Sequence, residues 1–237
     1  MTEHQSPKNH VQRGAIRPRA ACLCLMLFCF VHGWPVPAHG QSGFSTGGSV
    51  AYKGFSGFNP ELESADGSIL RWVNSRRNPV FGGWMEAADA SFYPLVYSSV
   101  PLWWGAAWLH DDVETDAALA HTAGWLATAG STMLLKRVIG RNRPYVSHPD
   151  LIIRYTPAEL EALGNQSSMP SGHSSMSVFA ASFLAMQVDS PFARIGGGLW
   201  ASSVVVSRVW NGVHYPSDVI AGTLLGAGMA FLVHQFE

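Results

Sequence analysis

Five apolar segments dominate the chain from residue 91 onward. Ser91–Leu109 and Ala117–Leu135 each run nineteen residues without a charge, Ser174–Val188 and Ile195–Val206 are shorter, and Val219–Phe236 lies near the end. Uncharged runs of about 18–20 residues are long enough to cross a ~30 Å hydrocarbon core. Gly, Ala and Ser recur inside them, which lets helices approach one another closely. The pattern predicts an all-α bundle of about five core helices. The favoured reading is transmembrane; a soluble bundle of buried helices is the alternative.

The polar breaks between these segments set the remaining expectations. From Glu61 to Arg77, apolar residues at Leu62, Ile69, Leu70 and Val73 form a loose helical face with charges opposite, an amphipathic helix ended by Arg77-Asn78-Pro79. Residues 41–59 are rich in Gly and Ser and read as irregular. Arg13, Arg17 and Arg19 precede a short apolar run from Ala20 to Val31, and Ala38-His39-Gly40 places small residues before Gln41. That arrangement predicts a signal peptide over 1–40, with an uncleaved anchor as the alternative. The organisation expected is therefore 1–40 signal peptide, 41–90 N-terminal segment with the amphipathic helix, and 91–237 helical-bundle domain. If residue 41 starts outside, five crossings carry 136–173 and 207–218 to the same outer face. The opposite loop, His110–Asp116, is acidic.

Composition narrows the ligand. Hydrophobic residues make up 47% and charged residues 13% of the chain, about half the usual charged share for soluble domains. Without residues 1–40, eleven basic residues face fifteen acidic ones, a net charge of −4, so no polycation is available for nucleic acid. More than half of those eleven cations, including Lys136, Arg137, Arg141, Arg143, Arg154 and Arg208, lie in the stretch holding the motifs below. That concentration points to an anionic ligand. Cys22, Cys24 and Cys29 all fall in the N-terminal run, which leaves the rest of the chain without disulfide, thiolate or cysteine–metal chemistry.

Three polar stretches carry candidate chemistry. Ser207-Arg208-Val209-Trp210-Asn211-Gly212-Val213-His214-Tyr215-Pro216-Ser217-Asp218 sets an arginine, a histidine and an aspartate around one turn. Asn211-Gly212 is the turn signal and Pro216 suits the first turn of a following helix. Asp218 then falls in that helix's first turn, able to fold back toward His214 and fix its tautomer. Lys136 and Arg143 are seven apart, on one face if their helix continues. Met169-Pro170-Ser171-Gly172-His173 opens a helix whose N–H groups, with the Ser171 hydroxyl, suit a phosphate. Each stretch has an ordinary reading too: a dipole-complementing aspartate, basic residues at a helix end, and a serine N-cap.

Together they resemble the signature of the type 2 phosphatidic acid phosphatase superfamily, which also includes bacterial class A acid phosphatases and vanadium haloperoxidases. The resemblance consists of K-x6-R-P at Lys136–Pro144, P-S-G-H at Pro170–His173 and S-R-x5-H-x3-D at Ser207–Asp218. All eleven fixed positions occur in order within 83 residues. It covers the chain from about residue 90 and says little of 41–89.

The resemblance implies that His214 is the nucleophile that forms a phosphohistidine, that Asp218 holds its ring, and that His173 protonates the leaving oxygen. Lys136, Arg143, Arg208, Ser171 and Gly172 would bind the phosphoryl oxygens, with no metal and no cofactor. The function implied is hydrolysis of a phosphomonoester or diphosphate lipid at the periplasmic face of a bacterial inner membrane. The partners expected are that substrate and membrane lipids. The alternatives are a soluble periplasmic acid phosphatase, a vanadate-dependent haloperoxidase and a non-catalytic phospholipid-binding membrane protein. His110, His121, His148 and His234 read as structural or exposed. Arg137 and Arg141 read as headgroup contacts, Trp103, Trp104 and Trp108 as an interfacial belt, and 150–165 as an outer loop shaping access.

Overall fold

Proline opens six of the eight helices among the described residues, where its fixed φ suits the first turn and its missing N–H would have no intrahelical partner. The structure is a computed structural model that describes residues 60–109 and 115–236. The helices are α1 (Pro60–Asn74), α2 (Pro79–Leu109), α3 (Thr115–Ile139), α4 (Pro144–Ser147), α5 (Pro157–Leu163), α6 (Gly172–Gln187), α7 (Pro191–Trp210) and α8 (Pro216–His234). The signal peptide expected over 1–40, the irregular stretch 41–59 and the loop residues 110–114 lie outside the described residues.

All five apolar segments are helical, as α2, α3, α6, α7 and α8. Helix α2 begins well before its uncharged run and carries Pro94 and Pro101 within it. Helix α6 is central, packed against α2, α3, α7 and α8. Phe179 and Phe183 of α6, fully buried, join Ala230 of α8, while Met176 joins Phe92 and Val96 of α2 and Val204 of α7. Helices α6 and α8 approach through glycine: a Cβ on Gly226 would lie 2.1 Å from the Ser175 carbonyl oxygen, and one on Gly222 would lie 2.5 Å from that of Ser171.

Outward faces are strongly apolar. Leu102, Leu126, Leu199, Leu224 and Phe231 are each about 60% exposed or more. Helix α8, with a mean hydropathy of 1.5, is the one helix among the described residues long and apolar enough to cross a membrane. The other four expected spans do not meet that combined test; α6, for instance, has only 16 residues.

Helix α1 packs on the bundle against α7 and α8, using only part of the face its apolar pattern marks. Asp66, Leu70 and Asn74 are buried and Val73 packs against Leu70's cluster, whereas Ile69 is half exposed. Positions 66, 70, 73 and 74 share one helical side. The inward side therefore carries a carboxylate and an amide. Asn74 donates to the carbonyls of Ile152 and Trp210, each at 2.9 Å.

Gly226→Ala should push α8 off α6 and lower stability by about 1–3 kcal/mol. Gly228→Ala, two residues on with nothing within 4 Å, should be neutral or slightly stabilising. Thermal unfolding of the two variants in the same detergent checks the contrast.

Candidate active site

Helix α3 ends at Ile139, and Gly140, at φ +59°, reverses the chain while its N–H closes on the Lys136 carbonyl at 3.0 Å. The helix does not continue to Arg143, so Lys136 and Arg143 come together through a turn rather than along one helical face. Arg143 precedes Pro144 in extended backbone. Its Nη1 donates to the Val213 carbonyl and to His214 Nε2, both at 3.0 Å, while its Nε donates to the Gly164 carbonyl at 2.9 Å. The Lys136 ammonium donates to the Ser167 and Ser168 carbonyls.

The second stretch lies where the pattern placed it. Ser171 caps α6, accepting from the Ser174 N–H at 3.4 Å, and its own N–H donates to the Asp218 carbonyl at 2.9 Å. Gly172 lies beside the Lys136 chain: an added Cβ would sit 3.9 Å from Lys136 Cε. The His173 ring stacks on Phe92, centroids 3.8 Å apart, and meets Tyr93 edge-on.

In the third stretch Gly212 takes φ +76° and Pro216 opens α8. Asp218 then reaches back to within 3.5 Å of His214 Nδ1. Arg143 is a permanent donor, so the lone pair facing it belongs to Nε2, and the ring proton falls on Nδ1, toward Asp218. Burial, reinforced by Arg143, Lys136 and Arg208, holds the His214 imidazole well below the usual histidine range. The structure thus brings together all eight residues picked out by the motifs. Arg208 is fully buried: its Nη1 binds Asp89 and the Tyr155 hydroxyl, while its Nε and Nη2 have no hydrogen-bond partner among the described residues.

Several contributors escaped the sequence reading. Arg141 does not face headgroups. It is buried, donating to Asp218 Oδ1 at 2.7 Å and to Asp66 Oδ2 at 2.8 Å. Ser168 donates to Asp218 Oδ2 at 2.5 Å, and the Tyr215 N–H to the same oxygen at 2.9 Å. Asp89 and Tyr155 hold Arg208. Arg141 sits two residues from Arg143 and carried no separate signal, while Asp66 lay on the face read as polar. Trp103 packs edge-on to Phe183, Trp104 donates to Thr122, and Trp108 alone of the three is largely exposed.

The family model of the PAP2 superfamily matches residues 117–237, just over half the chain. The chain belongs to the PAP2 superfamily. That match contains the three motifs but neither Asp66 nor Asp89. Among similar proteins, the lipid A 1-phosphatase of Rhizobium etli is 39% identical over 100 residues, 42% of this chain and 41% of that protein. The decaprenylphosphoryl-5-phosphoribose phosphatase of Mycolicibacterium smegmatis is 36% identical over 105 residues, 44% of this chain and 51% of that protein. The chain thus spans about two fifths to one half of these curated relatives. The crystal structure of Aquifex aeolicus LpxE shares the fold at a TM-score of 0.59 and 18% identity, over 71% of this chain and 93% of that one. A transmembrane PAP2-type phosphatidylglycerolphosphate phosphatase from Bacillus subtilis aligns at 0.55 and 26% identity, over 75% and 87%.

Arg141→Met should leave two buried carboxylates without their shared cation and cost about 3–5 kcal/mol of stability. Adding Asp66→Asn should restore part of it by removing one of the two charges. Denaturant unfolding of the single and double variants measures both steps.

Proposed function

We propose that this PAP2 protein is a membrane lipid phosphatase that works through a phosphohistidine on His214. The observation that carries this reading is the meeting of two histidines and three cations, drawn from three separate stretches, around one Asp218-backed imidazole. The cations electrostatically coupled to His214 are Arg143, Lys136 and Arg208, and the same three act on His173. Phosphoryl transfer asks mainly for positioning and for positive charge around the transferring oxygens. At an effective dielectric near 20, one charge ~4 Å away contributes about 4 kcal/mol before desolvation. Three such groups supply the charge that a divalent metal supplies in other phosphatases.

In the proposed sequence Arg143 Nη1 turns from His214 Nε2 to a phosphoryl oxygen, the freed Nε2 lone pair attacks phosphorus, and the bond from phosphorus to the leaving oxygen breaks. His173 delivers its proton to that oxygen. Asp218 stabilises the positive imidazolium through the Nδ1 proton. A water then loses its proton to His173 and attacks phosphorus, the phosphorus–nitrogen bond breaks, and phosphate leaves. Lys136, Arg143, Arg208, Ser171 and the Gly172 backbone hold the oxygens throughout.

A lipid substrate is supported by the exposed apolar faces of α2, α3, α7 and α8, which in water would be an unusually large hydrophobic surface. The relatives point the same way, since their names specify lipid A, decaprenylphosphoryl phosphoribose and, in Sulfolobus acidocaldarius, undecaprenyl diphosphate. We assign the site to the periplasmic face of a bacterial inner membrane, following the topology expected from the sequence.

His214→Ala should abolish phosphate release while the protein still inserts and folds; normal turnover in that variant would refute the nucleophile. Vanadate, a phosphate mimic, should inhibit, and activity should survive excess EDTA; strict magnesium dependence would contradict the metal-free scheme. The pH dependence has a definite sign. A lowered His214 pKa keeps the imidazole neutral on acidification past 6.5, the ordinary histidine value. With a substrate whose own ionisation is complete, the acid limb of kcat/KM should therefore fall below pH 6.5. Arg143→Gln removes one neighbouring cation and should move that limb upward.

A further inference from the structure

Two groups draw on the charge of Asp218. Its Oδ1 accepts from Arg141 at 2.7 Å, and its Oδ2 faces His214 Nδ1 at 3.5 Å. A carboxylate matched by a guanidinium presents little net charge to a third group. Arg141, however, is itself shared. Its Nη2 donates to Asp66 Oδ2 at 2.8 Å, and both carboxylates and the guanidinium between them are buried. Arginine stays charged in such a place. The second carboxylate offsets the guanidinium and leaves the Asp218 charge available to the ring. Resting on the phosphatase reading above, we propose that Asp66 is a positioning residue of the reaction: through Arg141 it preserves the negative charge that steadies His214 as positive charge develops on its ring.

The nucleophile needs that support. The charged and titratable groups acting on His214 are Lys136 of α3, Arg143 from the turn beyond it, His173 of α6 and Arg208 of α7, with Asp218 of α8 beside its Nδ1. Burial first, then Arg143, Lys136 and Arg208, hold the imidazole well below the usual histidine range. Attack on phosphorus puts positive charge on the ring just as protonation does, so cations that repel a proton also oppose the attack. The same cations suit the phosphoryl oxygens. Negative charge behind the ring is what lets one cluster serve both.

Asp66 is fixed for this role from both sides. Its Oδ1 accepts the Ser217 N–H at 3.0 Å and its Oδ2 accepts the Ser217 hydroxyl, which fastens α1 to the first turn of α8, one residue before Asp218. The Ser217 hydroxyl also accepts from Arg141 Nη1 at 2.6 Å. The row of carboxylate, guanidinium and carboxylate is thereby kept in register with the turn that carries Asp218. An amide oxygen could accept from Ser217 as well. Only a carboxylate also offsets the buried guanidinium. Asp66 lies on α1, outside the residues that the PAP2 model matches.

The test is the pH profile of kcat/KM in the full-length, detergent-solubilised protein. The substrate is whichever of lipid A, phosphatidic acid, a polyprenyl diphosphate and p-nitrophenyl phosphate it cleaves fastest. The same compound is used throughout, so that its own ionisation cancels between variants. Asp66→Asn removes one negative charge, disfavours the imidazolium and should move the acid limb down by about half a pH unit or more. Asp66→Glu keeps the charge and should leave the limb in place. So should Ser217→Ala, which removes the hydroxyl contacts without changing charge. Asp66→Asn/Arg141→Met dismantles the whole bridge yet loses one charge of each sign. Arg141 is the nearer to Asp218, so the limb should return to the wild-type position or above it. A limb that stays put in folded Asp66→Asn, or moves alike in Ser217→Ala, overturns the proposal; an inactive His214→Ala then leaves the phosphatase reading standing. Where Asp66→Asn does not fold, Asp66→Ser removes the same charge. If neither folds, Asp66 is a structural pin and the proposal falls. Normal turnover by His214→Ala, or failure of the wild-type protein on every compound, removes both readings together.

Discussion

Asp218 is a fully buried carboxylate, and most of the site's geometry follows from satisfying it. Burying an unpaired charge is so costly that its neighbours must supply cations and hydrogen bonds. Here Arg141 takes one oxygen, and the Ser168 hydroxyl and Tyr215 N–H take the other. Each partner comes from a different part of the chain, so one charge pins the turn after α3, the segment before α6 and the start of α8. Asp66 extends the constraint to α1 by binding Arg141 and the Ser217 N–H. His214 Nδ1 stands 3.5 Å from Asp218 Oδ2, close enough for charge to act though no hydrogen bond joins the two atoms.

The scaffold beneath this network is set by close helix contact. Gly222 and Gly226 let the α8 backbone approach α6 at the turns of Ser171 and Ser175. That approach fixes the spacing between the α6 N-terminus, which carries Ser171, Gly172 and His173, and the α8 N-terminus, which carries Asp218. The Ser171 N–H donating to the Asp218 carbonyl is the hydrogen-bonded seam between them. Two helix N-termini side by side concentrate partial positive charge at the place where the cations also gather.

How much of this the chain declares in advance depends on how local each cause is. Apolar runs declare the five long helices because burial and hydropathy act over a continuous stretch. Asn211-Gly212, Pro216 and the Ser171 cap are equally local, and all three appear as expected. The three motifs, separate in the chain, place His173, His214, Asp218 and their cations in one neighbourhood. The condition for Lys136 and Arg143 to share a helical face, a helix continuing to 143, is not met, because Gly140 adopts positive φ and ends the helix. Arg141 was misassigned to the lipid surface, since nothing local separates an arginine bound for a buried carboxylate from one bound for a headgroup. Asp66, Asp89 and Tyr155 are still less legible. Their partners lie 53 to 151 positions away, so their roles exist only once the bundle has closed.

The cation cluster also has a cost that bears on its purpose. Arg208 is fully buried with two donor atoms unpartnered among the described residues, and each such group sacrifices about 1–3 kcal/mol of folded stability. Burial and Arg208 together draw the Arg143 guanidinium down to about 10, still charged at neutral pH. A core evolved for stability alone would replace such groups with apolar side chains of similar volume. Their retention makes sense if the missing interaction is supplied by an anion, because the same donors then contribute to binding what they withhold from folding. Asp89 and Tyr155 sharpen this asymmetry: they satisfy one edge of Arg208 and leave the other uncommitted. The guanidinium is thus oriented before any ligand arrives, and its reorganisation energy is already contained in the fold.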